Sequence, residues 1–204
     1  GFGVGAGYET GTDFDGMSAK IGTSINGVFD IDVSYYHDQL DQNSEDVTLL
    51  SDDACASYLD VIFTWWLLRT TPADFLDVNV GVAPGFEFSN YKNYEYKNGA
   101  NQSAEYDGYY GGALGLSSNV VLRADKNWMI IPFYNLEYQV GHDKETVASK
   151  ESKTNYHGFT SALGLMVAKQ FKQGNSIYLS VKQSSDSFGS DEYFNVEVGY
   201  VLPW

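Results

Sequence analysis

The sequence predicts an all-β protein: a transmembrane, antiparallel, up-and-down β-barrel of about ten strands, forming a single domain over residues 1–204. Three observations lead to this prediction. Apolar and polar residues alternate along ten segments, short turns alternate with long polar loops, and no apolar run is long enough for a membrane helix. Within a bilayer, a closed barrel is then the structure that satisfies every backbone hydrogen-bonding group.

The last eleven residues show the alternation most clearly. Every second position is apolar, whereas the positions between them include Asn195, Glu197 and Gly199. Because successive side chains of a strand point to opposite faces, one face of this strand is continuously apolar. That face consists of Phe194, Val196, Val198, Tyr200, Leu202 and Trp204.

The composition suits a membrane interface. Aromatic residues make up 16% of the chain, and 16 Tyr outnumber 12 Phe and 4 Trp. Tyr and Trp favour surfaces that are apolar at one end and wet at the other. The longest apolar run, Val61–Leu68, is about half as long as the roughly 18 residues of a membrane helix. The net charge of −15 argues against nucleic-acid binding, and a single cysteine excludes an internal disulfide framework.

The segments follow one another through connections of alternating length. An even strand count with short turns at one end and long loops at the other is the layout of membrane-spanning barrels, and it places both termini at the turn end. The predicted strands are 1–10, 16–25, 28–37, 57–69, 74–88, 105–123, 128–141, 156–171, 176–184 and 192–204. The predicted tight turns are Asn26-Gly27, Thr71–Asp74, Ala124–Asn127 and 173–175. The predicted loops are 11–15, 38–56, 89–104, 142–155 and 185–191.

Alternation also assigns each strand a lipid-facing row. Aromatic residues in these rows predict two belts at opposite rims, as a bilayer requires. Pro132 removes a ladder donor in mid-strand and is interpreted as a local bulge. The predicted girdle consists of Trp128 and Phe171 at the turn end, and of Tyr8, Tyr106, Tyr110 and Tyr138 near the loop end.

The inward rows predict a network of charges in the lumen. The first strand contributes alternate glycines, over which Lys20, Lys182 and Glu197 can meet. A ten-strand barrel is much narrower than a porin with an aqueous channel, so the favoured interpretation is a plug of paired, hydrated groups. The alternative is a narrow cation or proton path. The predicted network is Lys20, Asp30, Asp32, Asp60, Asp77, Arg123, Glu137, Lys182 and Glu197.

On this alternation, loop asymmetry and terminal strand, the whole chain resembles the small bacterial outer-membrane β-barrel proteins, the class of the OmpA-, OmpX- and OmpW-like barrels. The resemblance implies a bacterial outer-membrane location with both termini periplasmic and the loops outside. It implies a terminal strand that is read by the barrel-assembly machinery, contacts with outer-membrane lipid and lipopolysaccharide, and a place in a larger envelope protein complex. No cofactor, metal or nucleic-acid partner is expected. A start at Gly1 without Met or an apolar leader is interpreted as a mature exported protein.

Three histidines, His37, His142 and His157, fall at the loop ends of strands. They suggest a metal site or an acid–base pair at the rim, as in the ten-stranded omptin proteases, which have Asp and His there. The chain shows no omptin motif and lacks room for the tall omptin extension, so we expect plain polar residues and no enzyme. His157 and Ser161 share a face, but that face is lipid-facing.

Three further features have simple interpretations. The segments 38–46 and 51–53 are acidic, but they lack the spacing of a calcium loop and are interpreted as solvated loop. Cys55 is expected in the same loop, where it pairs between molecules, is a free thiol or is a small, partly buried residue. The alternate glycines 3, 5 and 7 lack the helix of a dinucleotide-binding motif.

These observations support three functional hypotheses of different class. The first is a non-enzymatic structural or binding component with a plugged, charge-networked lumen and acidic surface loops. The second is a narrow channel for cations or small solutes that uses the inward carboxylates. The third is a protease or lipid hydrolase at the rim. A soluble lectin-like or lipocalin-like β-protein is the rival at the level of protein class.

Overall fold

A computed structural model of the chain describes residues 1–40, 50, 53–97, 103–147, 150–186 and 192–203, and the regular structure in this part is entirely β-strand. No helix long and apolar enough to span a membrane occurs among these residues. The strands are β1 (Phe2–Thr10), β2 (Phe14–Ile25), β3 (Phe29–Leu40), β4 (Cys55–Ala73), β5 (Leu76–Lys92), β6 (Glu95–Lys97), β7 (Ser103–Arg123), β8 (Trp128–Val147), β9 (Lys150–Gln170), β10 (Ser176–Asp186) and β11 (Glu192–Leu202).

Antiparallel pairing closes these strands into a barrel. Consecutive strands pair from β1 to β5 and from β7 to β11. β1 also pairs with β11, and β5 pairs with β7, so that the sheet has no open edge along the wall. The three-residue β6 pairs with the start of β7 and lies outside the closed cycle. The predicted ten-strand antiparallel barrel is therefore confirmed, with β6 as an additional strand.

The tight turns lie together at one end, which we call the turn end; the opposite end is the loop end. Asn26 and Gly27 both have positive φ, 54° and 60°, which is the backbone of a type I′ hairpin turn and explains the Asn-Gly sequence. The turn predicted at Thr71–Asp74 is shifted, because β4 continues to Ala73. Irregular pairing between Thr70 and Ala73 accommodates the additional strand residues.

At the loop end, several strands are longer than predicted. β5 continues to Lys92 and β7 begins at Ser103, while β8 and β9 pair without interruption as far as Val147 and Lys150. The loops predicted at 89–104 and 142–155 are therefore wrong for most of their length. Cys55 likewise belongs to β4, between Gln39 and Lys92, and not to a loop. At the end of β8 every residue from Gly141 to Val147 is partly exposed, so the alternation that marks a membrane strand is absent there.

The distribution of apolar side chains is inverted relative to that of a water-soluble domain. Among the described residues no large side chain is fully buried, and the buried hydrophobic residues are mostly alanines such as Ala56, Ala83 and Ala168. Large apolar side chains such as Leu114 and Leu163 are exposed on the outer wall instead. An apolar exterior on this scale exceeds the patches of soluble monomers and matches a surface covered by lipid.

Aromatic residues mark the two edges of the apolar band. On β8, Trp128 lies at the turn end and Tyr138 lies ten residues further along. At about 3.3 Å per residue and a tilt of about 40°, this separation corresponds to about 25 Å along the barrel axis, the height of an outer-membrane apolar band. Lys169 places its ammonium 5.2 Å from the centre of the Trp128 ring. A lysine that packs on tryptophan at the boundary suits the membrane interface.

The predicted lipid-facing row of β11 is exposed along its length. Its members from Phe194 to Leu202 retain between 37 and 50% of their surface. Trp204 lies outside the described residues. Of the predicted girdle, Tyr8, Tyr110, Trp128, Tyr138 and Phe171 are exposed on the outer wall.

Pro132 does not form the predicted bulge. It pairs with Leu165 of β9, whereas the ladder to β7 has a gap between the pairs Asn119–Phe133 and Leu122–Ile130. The register is the same on both sides of this gap, so no extra residue is inserted. The missing N–H interrupts the ladder locally without shifting it.

Candidate functional site

The glycines of the inner wall have no side chain, and longer side chains from neighbouring strands lie over these positions. A Cβ at Gly5 would lie 2.7 Å from the Tyr178 hydroxyl and 2.9 Å from Oε1 of Glu197. A Cβ at Gly199 would overlap the Tyr178 ring. The Tyr178 hydroxyl donates a hydrogen bond to Glu197 across this surface. The glycines therefore make room for a Tyr–Glu pair that lies flat against the wall.

We expect Gly199→Ala to destabilise the barrel by about 1 kcal/mol, because the added methyl group displaces the Tyr178 ring from a packed position. Gly3→Ala is the matched control, since its Cβ would meet its first neighbour, a Val201 methyl carbon, at an ordinary 3.5 Å. Urea unfolding of the protein in lipid vesicles measures both. Equal stabilities of the two variants, or a failure of Tyr178→Leu to rescue Gly199→Ala, would contradict this packing.

Lys20 is at the centre of a group of charged side chains in the half of the lumen nearer the turn end. Its ammonium lies 3.3 Å from Oδ1 of Asp32, and the charges of Glu197 and Asp30 also act on it. Asp30 in turn accepts a hydrogen bond of 2.6 Å from the indole Nε1 of Trp66. The side chains of Lys20 and Asp32 keep 35% and 30% of their surface although both face the lumen. Water-sized spaces therefore adjoin this pair.

Lys182 is at the centre of a second such group, in the half of the lumen nearer the loop end; we call these the two lysine-centred groups. The charges of Glu9, Asp60 and Glu197 act favourably on it, and its charge also acts on Glu137. These groups come from four different strands, β1, β4, β8 and β11. The lysine is thus shared among several carboxyl groups and belongs to no single ion pair.

Three acids in this region, Glu9, Asp38 and Glu87, are absent from the network predicted from the sequence. Glu9 and Asp38 are each only 3% exposed, and their carboxyl groups form a hydrogen bond with each other over Gly16. The Asn195 amide donates to Glu9 at 3.4 Å and to the Ser18 hydroxyl at 3.3 Å. Asp38 was assigned to a loop, yet it lies two positions beyond Tyr36 in the inward row of β3. The predicted strand ends at residue 37, so one further residue of strand includes Asp38.

Asp77 and Arg123 lie together at the turn-end mouth of the barrel. Their side chains form an ion pair, and the Thr71 hydroxyl donates a hydrogen bond of 2.8 Å to the same carboxylate. Arg69 also acts electrostatically on Asp77. These residues form a group at the mouth that is separate from the two lysine-centred groups above it.

The charge of the lumen is strongly acidic. Between the mouth group and the loop-end belt, only two lysines, Lys20 and Lys182, are found on the inward rows of the strands that the structure describes. They face eight carboxyl groups. These carboxyl groups belong to Glu9, Asp30, Asp32, Asp38, Asp60, Glu87, Glu137 and Glu197.

Tyr106 does not face lipid, which corrects its assignment to the aromatic girdle. A bulge between Tyr106 and Gly108 reverses its direction. It packs edge-on against Tyr91 at 4.7 Å and Tyr94 at 5.8 Å between ring centres, and it donates a hydrogen bond to Asp143. Burial, together with this hydrogen bond to a carboxylate, raises the pKa of Tyr106, so its hydroxyl is a proton donor at neutral pH.

Tyr91 links this tyrosine cluster to the barrel wall. Its hydroxyl lies 2.7 Å from that of Tyr58 on β4, and the two rings pack edge-on. The cluster therefore joins β4, β5 and β7 above the loop-end belt. No periodic signal in the sequence indicates it, since Tyr91 and Tyr94 lie in a segment predicted as loop, Tyr106 was predicted as girdle, and Tyr58 lies at the start of the predicted strand 57–69.

The structure places the three histidines beside different partners. His37 lies 3.0 Å from the Ser57 hydroxyl, and the rings of His142 and His157 pack near Tyr110 and Tyr138. No group of three His, Cys, Asp or Glu side chains could hold a metal ion in the part of the chain that the structure describes.

The other candidate features from the sequence are Ser161, Cys55 and the acidic loop. The Ser161 hydroxyl lies 3.0 Å from that of Ser185. The thiol of Cys55 is free. Most of the acidic loop, residues 41–49 and 51–52, lies outside the described residues.

Comparisons with known proteins agree with this architecture. The β domain of the Bordetella autotransporter BrkA is 12% identical, with 98% of this chain and 97% of that chain covered and a TM-score of 0.51. The translocator domain of the autotransporter NalP from Neisseria meningitidis is 10% identical, with 98% and 86% covered and a TM-score of 0.50. The KdgM porin, solved with disordered oligogalacturonate, is 8% identical, with 98% and 99% covered and a TM-score of 0.40.

At these identities, the likeness to the two autotransporter domains establishes the fold alone, that of an outer-membrane β-barrel. No family model matches the sequence. No curated protein sequence matches it closely either.

Proposed function

We propose that the protein is an integral, non-enzymatic component of the bacterial outer membrane whose lumen is closed to solutes by its own side chains. In this proposal both termini face the periplasm, the strand extensions face the outside, and the barrel-assembly machinery inserts the chain. The protein then acts through its surface, as a structural or binding element of the envelope, and not through a pore.

One observation carries the proposal: the two lysine-centred groups connect strands from around the barrel wall. The charges of carboxyl groups on β1, β4 and β11 act on Lys182, and Lys20 forms an ion pair with Asp32 of β3 and is acted on by the charge of Glu197 of β11. Tyr178 and Trp66 fill the spaces beside Glu197 and Asp30 through hydrogen bonds. Charged groups that attract one another across a narrow lumen favour positions inside it, and this supports a lumen that is closed to solutes.

Recording from planar bilayers tests this function. We expect the purified protein to insert without a steady single-channel current in 1 M KCl, because its lumen is occupied by these side chains. A variant with Lys182, Tyr178 and Glu197 all changed to alanine is expected to conduct. Its current is the positive control, because it shows that the recording detects an inserted barrel whose lumen is open. A steady current from the unchanged protein would overturn the plug.

The acid excess of the lumen favours a second candidate, a narrow cation path. Eight carboxyl groups face two lysines, and the Lys20–Asp32 pair adjoins water-sized spaces. Such a path would conduct K⁺ in preference to Cl⁻, and changing Asp60 and Glu137 to the corresponding amides would lower this preference. A cation-selective current that is lost in this double variant would favour the path over the plug.

A further inference from the structure

Two outward-facing prolines interrupt the hydrogen-bond ladder in the middle of the barrel wall. Pro132 of β8 pairs with β9, but two successive pairs are missing from its ladder to β7. Pro84 of β5 pairs with β7, and two successive pairs are missing from its ladder to β4. Because proline has no N–H, the opposite carbonyl groups of Val120 and Phe63 lose their donors. The hydrocarbon core of a membrane supplies no replacement, so the wall is weakest here.

Beside Pro132, the outer face carries a polar group in the middle of the apolar band. Tyr134 is 43% exposed and belongs to the same outward row of β8 as Trp128 and Tyr138. It follows Trp128 by six residues and precedes Tyr138 by four, which corresponds to about 15 and about 10 Å along the barrel axis. No hydrogen bond of the Tyr134 hydroxyl is found among the residues that the structure describes.

Other tyrosines of the outer wall differ from Tyr134 in this respect. The Tyr35 hydroxyl donates a hydrogen bond to a serine of β4, and the Tyr200 hydroxyl accepts one from an asparagine amide. Tyr138 lies in the loop-end belt, where water and headgroups reach its hydroxyl. A hydroxyl without a partner in hydrocarbon costs free energy, and contact with another protein can remove this cost.

A suitable acceptor lies at the same depth on the next strand. Ser118 of β7 pairs directly with Tyr134, and both side chains point outward. The Ser118 hydroxyl donates to the Tyr134 backbone carbonyl at 3.2 Å, and its oxygen can still accept a hydrogen bond. A two-fold axis along the membrane normal relates two copies inserted in the same orientation, and it brings groups of equal depth together. The pair is thus self-complementary, which favours a second copy of the chain as the occupant of this face.

We propose that the protein forms a dimer in the membrane through the outer face of β7 and β8. The hydroxyl of each Tyr134 donates to the Ser118 hydroxyl of the other copy. Packed sheets lie about 10 Å apart, and at this spacing a tyrosine of one wall can meet a serine of the other. Leu116 and Leu163, which flank the pair and are highly exposed, pack around it. The dimer requires membrane insertion but not the closed lumen of the proposed function.

Energy transfer between labelled copies in lipid vesicles tests the dimer. Donor and acceptor dyes are attached at Ser152→Cys, above the loop-end belt, in a Cys55→Ser background, and the lipid-to-protein ratio is varied. We expect a dimer, and about tenfold weaker association for Tyr134→Phe, because two equivalent hydrogen bonds are lost while both rings stay. Tyr138→Phe is the matched control: it removes a hydroxyl from the same row at the belt, and it is expected to associate like the unchanged protein.

Ser118→Ala removes the acceptor and is expected to weaken association by a similar factor. The double variant Tyr134→Phe/Ser118→Ala should associate no more weakly than either single variant, since all three lack the same bond. Energy transfer no greater than that of randomly placed monomers would overturn the dimer, and so would association that either single variant leaves unchanged. Heat-modifiable gel mobility reports the insertion of every variant, and planar-bilayer recording reports lumen closure. Failure of the dimer is therefore distinguishable from failure of the proposed function.

Discussion

Val198→Arg is expected to destabilise the inserted barrel by about 2–4 kcal/mol, the range for arginine on the lipid face at the bilayer midplane. Val198 is at mid-height on β11, where it pairs with Ala6 of β1 and Leu179 of β10. It is 50% exposed on the outer wall. In a water-soluble β-protein, a polar substitution at such an exposed position would change stability by no more than about 0.5 kcal/mol. The same substitution therefore discriminates between lipid and water at this surface.

Urea unfolding of the protein reconstituted in lipid vesicles gives the free energy of unfolding for this comparison. Ser152→Arg is the control, because Ser152 is exposed on β9 beyond the loop-end belt and its arginine variant stays in water. We expect the control to lie within about 0.5 kcal/mol of the unchanged protein. Equal stability of Val198→Arg and Ser152→Arg would place the outer wall in water and refute membrane insertion.

The membrane-spanning part of the fold follows from sequence because two different media line its two faces. Along β11, lipid and lumen impose a period of two from Phe194 to Leu202, and the strand can be recognised directly. The Asn26-Gly27 turn can also be recognised from the sequence, since both residues tolerate positive φ. Beyond the belt both faces meet water, so the upper parts of β8 and β9 carry no such period. Their pairing depends on backbone hydrogen bonds that the sequence does not display.

The sequence predicts which strand residues face the lumen, but it does not predict which of their side chains contact one another. Parity places Lys20 and Glu197 on inward rows, yet it does not show that Tyr178 and Trp66 lie beside the acids of these groups. Those contacts depend on the curvature of the wall and on which glycines leave space. Tyr106 shows the complementary failure: one bulge reverses its direction, and parity continued through the bulge assigns it to the wrong face.

The two lumen lysines are therefore the groups on which the network depends most. Each carboxyl group has several neighbours, but the positive charge near the loop end comes from Lys182. Removal of a cation leaves carboxylates without compensation in a low-dielectric space, whereas removal of one carboxylate leaves the lysine with others. Substitution of the lysine should consequently cost more stability than neutralisation of any one of the acids around it.

Lys182→Met is expected to destabilise the barrel by about 2–3 kcal/mol. Breaking a fully buried ion pair costs about 3–5 kcal/mol, and the residual water in the lumen reduces this cost. Methionine keeps most of the volume of the lysine stem, so the loss reports the charge and not a cavity. Lys126→Met, in the exposed turn between β7 and β8, is the control and is expected to be neutral.

A double-mutant cycle with Asp60→Asn identifies the origin of that loss. Of the charges that act on Asp60, that of Lys182 is the favourable one. Neutralising both residues should therefore cost less than the sum of the two single substitutions, by about 1 kcal/mol or more. Urea unfolding of the four proteins in the same vesicles measures this coupling. Strictly additive losses would mean that Lys182 and Asp60 do not stabilise each other, which would contradict a coupled charge network in the lumen.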